Sequence, residues 1–409
     1  VSFRTTLIVL NVLALAVIAG VILWRVFSLK REKEPTPANL TKFLEDEDLE
    51  GRRLERVLGW SLLFVLVIAI SLPVYFLVEP GRQVVAKDAF LARSVARGAV
   101  LFANNQSLTY DSTKSLLCAN CHGTKAEGGA APFVIQPESD LCVAAQNKGN
   151  PNVPECLPRQ VSWQAPALNT VLLRFSRDQV KHILNYGRPG TPMPAWGIVS
   201  GKGVLNAQSI DDLVNYLASL QIPSARAKSI STQAVGEYRT GGKQLVTQQQ
   251  VALAKAQGDL AKAQADPTAT PVGLAQAQAG VATAQAQLDA ALAYSTEVQG
   301  LSDGAILFRL NCARCHTKAW SYYDPTNLKV PPPPPQGSGA YGPSLRNGST
   351  LLQFPGKAGE QGQFDWVAVG IPENQQYGVR GISSGRMPHF ANQLNEAEIT
   401  AIVRYERSL

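Results

Sequence analysis

One five-residue pattern, occurring twice, constrains this chain more than anything else in it: Cys118-Ala119-Asn120-Cys121-His122 and Cys312-Ala313-Arg314-Cys315-His316. Each places two thiols about one helical turn apart, with an imidazole directly after the second. Thiols so spaced can each add to one vinyl group of a haem, and the histidine then stands beneath the iron as its proximal ligand. Zinc would need four ligands at suitable spacing, and two pairs so far apart in the chain fit one such site badly. A redox dithiol has no need of a histidine in the fifth place on both occasions. The spacing therefore predicts two covalently bound haem c groups. Cys118, Cys121, Cys312 and Cys315 attach them, and His122 and His316 are metal ligands.

A sixth ligand follows from scarcity. The chain has two methionines and four histidines. Met193 lies in Gly190-Thr191-Pro192-Met193-Pro194-Ala195-Trp196, and Met387 lies in Gly385-Arg386-Met387-Pro388-His389-Phe390. Flanking prolines stiffen both loops, and each loop precedes a predicted final helix. Met193 and Met387 are the expected distal metal ligands, with His182 and His389 as competitors. A His/Met pair raises the haem potential and leaves no open coordination site for a substrate. No catalytic residue is therefore expected.

Thr5–Trp24 and Val57–Val78 are uncharged and mostly aliphatic. Each reaches the ~20 residues that cross a hydrocarbon core. Between them, 25–56 carries Arg25, Lys30, Arg31, Lys33, Lys42, Arg52, Arg53 and Arg56, whereas only Arg4 precedes the first run. Cytoplasmic loops are enriched in Lys and Arg. The expectation is a two-span hairpin over 1–78 in the cytoplasmic membrane of a bacterium, with its loop inside. Both termini and both haem segments would then lie on the outer face, where haem attachment occurs. A cleaved signal peptide would leave the C-terminal half inside. Val1 reads as an initiator from a non-AUG start codon.

Residues 79–90 read as a linker. Helices are expected over 89–104, over 176–187 with Gly187 as its stop, and from a Ser209-Ile210-Asp211-Asp212 cap to about Leu220. Residues 241–300 are rich in Ala and Gln. Two strong helix formers, 243–265 and 272–298, flank the turn Asp266-Pro267-Thr268-Ala269-Thr270-Pro271. Leu245, Leu253 and Leu260 are expected to face Leu274, Val281, Leu288 and Leu292 in an antiparallel helical hairpin, the alternative being a low-complexity linker. So thin a unit should rest on a neighbouring subunit or on the first haem domain. From Ser302 the pattern of the first unit repeats. It includes a Pro331–Pro335 loop and a last helix capped by Asn395, Glu396 and Glu398. Cys142 and Cys156 fall in a loop rich in Gly, Pro and Asn. They read as a disulfide, which the outer face permits, or as two free thiols. Lys plus Arg number 38 against 31 Asp plus Glu with no concentrated basic face, so nucleic-acid binding gets no support.

Both soluble segments, 91–222 and 300–409, resemble the class I cytochrome c fold. In that family a proximal loop like Gly342-Pro343-Ser344-Leu345 packs beside the haem histidine. The resemblance implies an all-α fold class: a transmembrane hairpin, two class I cytochrome c domains, and an inserted helical hairpin over 223–299. The first domain departs from the family by an insertion at about 130–159. Leu49-Glu50-Gly51-Arg52-Arg53-Leu54-Glu55-Arg56-Val57-Leu58-Gly59-Trp60 resembles the start of the second span in dihaem subunits of actinobacterial quinol–cytochrome c reductases. It implies electron transfer in a respiratory chain beside cytochrome b and a Rieske protein, with a haem–copper oxidase, soluble cytochrome or cupredoxin as further partners. The N-terminal anchoring is also similar to the dihaem subunit of cbb-type oxidases. A third option is the electron-accepting cytochrome of a periplasmic dehydrogenase.

Overall fold

The structure is a computed structural model, and it describes residues 13–14, 16–21, 23–24, 27, 46, 50–136, 142–143, 146–148, 156–328, 330 and 332–409. The chain divides into two compact bodies, Val1–Val85 and Ala86–Leu409. At 62% helix and 6% strand it is mainly helical.

Helix α1 is Arg52–Phe102. Its stretch Leu54–Phe102 is, among the described residues, the one helix long and apolar enough to cross a membrane. Its most apolar window has a mean hydropathy of 2.7, and none of that window is buried. Large apolar side chains from Val57 to Val78 stand exposed all around it, a surface that water-soluble proteins rarely carry. Of the first expected span, 5–24, the described residues 13–14, 16–21 and 23–24 are helical; the rest of it and most of the loop 25–56 lie outside the described residues. The expected linker 79–90 is instead helical throughout. Pro73 and Pro80 are accommodated inside α1, and the Arg82 guanidinium donates to Glu79 Oε2 at 2.6 Å one turn away.

Within Ala86–Leu409 the first lobe is built from the end of α1, then α2 (Cys118–His122), β1 (Gly129–Ile135), β2 (Arg159–Ala165), α3 (Arg177–Tyr186) and α4 (Ala207–Ser219). The insertion is thus an antiparallel ribbon, with Ala131 opposite Trp163 and Phe133 opposite Val161. The all-α reading did not contain it, because short strands of mixed polarity have no strong period. Cys142 and Cys156 are joined by a disulfide. Helix α3 carries a capping box between Ser176 and Gln179, and Gly187, at φ +69°, follows its last turn. Helix α4 is capped by Asn206, whose side chain accepts from the Ser209 amide, and not by Ser209 itself. Asp212 does not serve the helix dipole. It is buried and accepts from Ser94 Oγ at 2.6 Å and Arg97 Nε at 2.7 Å.

Helices α5 (Ser224–Ala265) and α6 (Pro271–Gly300) follow. The Tyr294 hydroxyl donates to that of Tyr238 at 3.0 Å, and Gln299 Nε2 donates to the Arg239 carbonyl at 3.0 Å. The seam between these helices buries Gly242, Ala284, Leu288, Ala291 and Val298. Small residues let the backbones approach, whereas Leu292 is 45% exposed. The root of this pair rests on the second lobe rather than the first. Val235 and Tyr238 join that lobe's core, Arg239 pairs with Asp303 at 2.7 Å, and Thr232 Oγ1 donates to Glu398 at 2.9 Å.

The second lobe comprises α7 (Asp303–Asn311), α8 (Ala313–His316), α9 (Ser349–Gln353), α10 (Gly356–Val369), the short pair β3 (Gln376–Tyr377) and β4 (Gly381–Ile382), and α11 (Glu396–Arg407). Its first and last helices cross as α1 and α4 do in the first lobe. At Gly98 a β-carbon would run into the Asp212 carbonyl and Tyr216; at Gly304 it would run into the Ala401 carbonyl and Tyr405. Four residues after each glycine, Phe102 meets Tyr216 at 5.5 Å and Phe308 meets Tyr405 at 5.4 Å. The two lobes are therefore built on the same crossing.

Glu406 on α11 is almost wholly buried in the second lobe. It faces Gln363 of α10, whose Nε2 donates at 2.9 Å, and lies near the Cys312 thiol. Thr350 of α9 donates only to its backbone carbonyl. Burial pushes its carboxyl up to about 7, against a smaller opposite effect of Gln363. Between the ordinary carboxylate range and that value the folded protein keeps a proton that the unfolded chain has released. Stability therefore falls as pH rises through this window, by on the order of 3 kcal/mol in all. Glu406→Gln should flatten that slope. Its melting temperature should exceed the parent's near about pH 8 and converge on it near about pH 4; parallel pH profiles would contradict the assignment.

Candidate functional site

Both Cys-x-x-Cys-His segments fold as one helical turn set against a lobe's core. In α2, Ala119 and His122 are buried; at α8, Cys312, Ala313 and His316 are buried. Leu117, in the left-handed region at φ 61°, turns the chain into α2. All four motif cysteines are free thiols. Burial pushes the Cys118 thiol up to about 12 and Cys312 well above its ordinary value. Cys121 and Cys315 move the same way, again mainly through burial. A reactive dithiol needs its thiolate stabilised; beside Cys315, Arg188, Arg314 and Arg174 pull that way, but burial outweighs them and the net shift is upward in both motifs.

The two histidines are held identically. His122 Nδ1 lies 2.9 Å from the Pro166 carbonyl, and His316 Nδ1 lies 2.9 Å from the Pro343 carbonyl. A carbonyl only accepts, so Nδ1 carries the proton and the Nε2 lone pair is left for a metal. Burial lowers both imidazole pKa values, against the smaller effect of the proline carbonyls, which favours the neutral, ligating form. Gly342 lies against the second ring: a β-carbon there would fall 2.6 Å from His316 Cε1. Its amide donates to the Cys315 carbonyl at 2.8 Å. Sequence reasoning found Gly342-Pro343-Ser344-Leu345 but missed its counterpart, Ala165-Pro166-Ala167-Leu168. The signal was the shared Pro-x-Leu, displaced from His122 by the ribbon insertion.

Met193 and Cys118 pack on the first lobe's core, and Met387 packs on the core that contains Cys312 and Ala313. The Met193 loop is closed by Arg188 N to Met193 O at 3.0 Å, and Thr191 Oγ1 accepts from Met193 N at 3.2 Å. The Met387 segment is tied down by Phe390 N to Val367 O at 3.1 Å. Of the competing histidines, His182 is exposed on α3 with its ring 4.7 Å from that of Tyr186. His389 is half-buried, and its amide donates to the Arg174 carbonyl at 3.3 Å.

The lobes meet along several polar contacts. Tyr341 donates to Gly190 O at 2.9 Å, Gln179 Nε2 to Gly385 O at 3.1 Å, and Arg314 Nη1 to Gln164 O at 2.9 Å. Trp163 of the ribbon packs on Tyr322 at 5.2 Å. Among the described residues no three His, Cys, Asp or Glu side chains converge as a metal cage. One imidazole with one thioether is a different donor set. Comparison of the chain with protein-family models, with curated proteins and with solved structures finds no match.

Proposed function

We propose that this chain is a membrane-anchored dihaem c-type cytochrome that relays electrons in a respiratory chain. The observation that carries the reading is the duplicated proximal arrangement. Twice, a histidine at the end of a Cys-x-x-Cys turn is oriented by a proline carbonyl with Nε2 left over, on a core that also holds a methionine. These residues fit the group. Cys118 and Cys121 would hold one haem, with His122 and Met193 as axial ligands. Cys312 and Cys315 would hold the other, with His316 and Met387. When bound, each haem supplies a one-electron couple. The protein's part is to fix the imidazole tautomer through Pro166 and Pro343, and His122, Met193, His316 and Met387 would ligate the irons. Both histidines are buried, and burial and iron ligands are the protein's means of setting potential.

The apolar part of α1 supports membrane attachment. A second span at 5–24, a cytoplasmic loop at 25–56 and outward-facing lobes complete the reading. The likeness of Leu49–Trp60 to reductase subunits favours a place in a quinol–cytochrome c reductase beside cytochrome b and a Rieske protein. The test is haem stoichiometry on the denatured polypeptide. About two haems per chain should survive denaturation, with thioether-type pyridine haemochrome spectra, and Cys312→Ala/Cys315→Ala should retain one. Haem that extracts freely into acidified organic solvent would refute the proposal.

A further inference from the structure

Three guanidinium groups converge where the lobes meet, and two of them are anchored on one short segment. Arg174 Nη2 donates to Ala167 O at 3.2 Å, and Arg314 Nη1 donates to Gln164 O at 2.9 Å. Between those carbonyls lies Pro166, whose own carbonyl orients His122. The third, Arg188, shares the Phe175 ring with Arg174, the guanidinium carbons lying 5.7 and 6.0 Å from its centroid. The Arg188 amide closes the loop that carries Met193. Arg174 Nε is fully buried with no hydrogen-bond partner. Among the described residues no carboxylate forms an ion pair with any of the three.

Such an arrangement lacks a component. Arginine does not deprotonate in proteins; the three side chains are partly buried, and the buried Arg174 Nε has no acceptor to offset its desolvation. The charges also oppose one another. The Arg174 pKa is pushed down to about 10, first by burial and then by Arg314 and Arg188. What fits is an anion with planar acceptor groups, the partner a guanidinium fork pairs with best.

The geometry points to the junction of the lobes as a carboxylate site. There Arg174, Arg188 and Arg314 receive the propionates of the haem on Cys118 and Cys121, so that a residue of the second attachment motif completes the first haem's site. The inference rests on the proposed function. Two of the arginines flank the proximal carbonyl of the first lobe and the third adjoins its distal loop, which assigns them to the first haem, while all three also lie near the Cys315 thiol of the second motif. Because Arg314 lies between Cys312 and Cys315, the same charge borders both haems. The arrangement supplies a fixed positive link between the two redox centres.

The test uses the full-length membrane protein in detergent. It compares Arg174→Gln, Arg188→Gln and Arg314→Gln, the charge-keeping Arg174→Lys, and Arg226→Gln as a remote control. Covalent haem content is measured first, then each haem's potential across pH. The first haem is identified by its shift in Met193→His. In the parent and Arg226→Gln the first haem's potential should stay flat through neutral pH, its carboxylates being ionised throughout. In the three Gln variants those carboxylates should titrate higher, so the potential should fall as pH rises through that range. Arg174→Lys should restore most of the flat profile. Two haems retained with no change in any Gln variant would overturn the inference and leave the proposed function standing. Absence of covalent haem in the parent would instead remove the reading on which it rests. Glu138→Gln/Asp140→Asn/Glu155→Gln reproducing the shift would assign the arginines to acidic side chains, and so also overturn the inference.

Discussion

Gly304→Val should cost the second lobe its fold. A β-carbon at Gly304 would overlap the Ala401 carbonyl and fall 3.2 Å from Tyr405 Cβ. Relief would require α7 and α11 to separate. They are locked by Ile306, Leu307 and Phe308 on one side and Ile399, Ile402 and Val403 on the other, each no more than 1% exposed. Parting them would open voids along the whole contact. Overpacking alone costs about 1–3 kcal/mol, and the lost packing adds to it. The helix propensity gained by replacing a glycine is well under about 1 kcal/mol. The net loss should exceed about 3 kcal/mol, a large part of an ordinary domain's stability. Thermal unfolding should show it, and on the proposed dihaem reading the haem at Cys312 and Cys315 should fall away sharply while that at Cys118 and Cys121 persists. Gly98→Val should do the converse in the first lobe. A Gly304→Val protein that melts with the parent would mean the helices do not cross here.

The second large effect is on potential. On the proposed function, Met193→His and Met387→His should each lower one haem's potential and leave the other nearly in place. Imidazole stabilises ferric iron more than a thioether does, and axial ligands set potentials over a span of about 0.8 V. Both methionines sit half-buried on a lobe's core in loops closed by backbone hydrogen bonds, so a side chain at either position is held rather than free to swing aside. A spectroscopically monitored titration should therefore show one wave moved far down in each variant and both moved in the double variant. Two unmoved waves would strike out methionine as the ligand and return attention to His389, since His182 faces solvent.

The Arg174, Arg188 and Arg314 junction adds a constraint on how the lobes work together. Arg314 belongs to the second attachment motif yet hydrogen-bonds to Gln164 in the first lobe. Substitution there should be felt on both sides, and effects at the two lobes should not simply add, as is usual for groups sharing one network.

What was legible in the chain was what short stretches encode. The two Cys-x-x-Cys-His turns need only five contiguous residues, so spacing alone predicts where the thiols and the imidazole stand. The apolar run from Val57 to Val78 and the Ala/Gln-rich helices around Asp266 declare themselves by hydropathy and propensity. The capping residue Asn395 was equally readable, because a cap acts within one turn. Other features depend on where distant segments come to rest. Pro166 is the acceptor for His122 only because the ribbon of β1 and β2 folds its intervening insertion out of the way, bringing residue 166 back beneath residue 122. Gly98 and Gly304 matter only because a second helix crosses them. Asp212 looked like a helix-end charge and is instead the partner of Ser94 and Arg97 from α1. Residues 79–90 looked like a linker and are helical. The sequence by itself determined the local turns that present the Cys-x-x-Cys-His thiols and imidazoles, because those follow from covalent spacing and short-range hydrogen bonding. The tertiary structure alone decided which carbonyl orients each histidine, which glycines sit at the helix crossings, and which arginines meet between the lobes. Those contacts join residues far apart in the chain, and only the packing of whole elements brings them together.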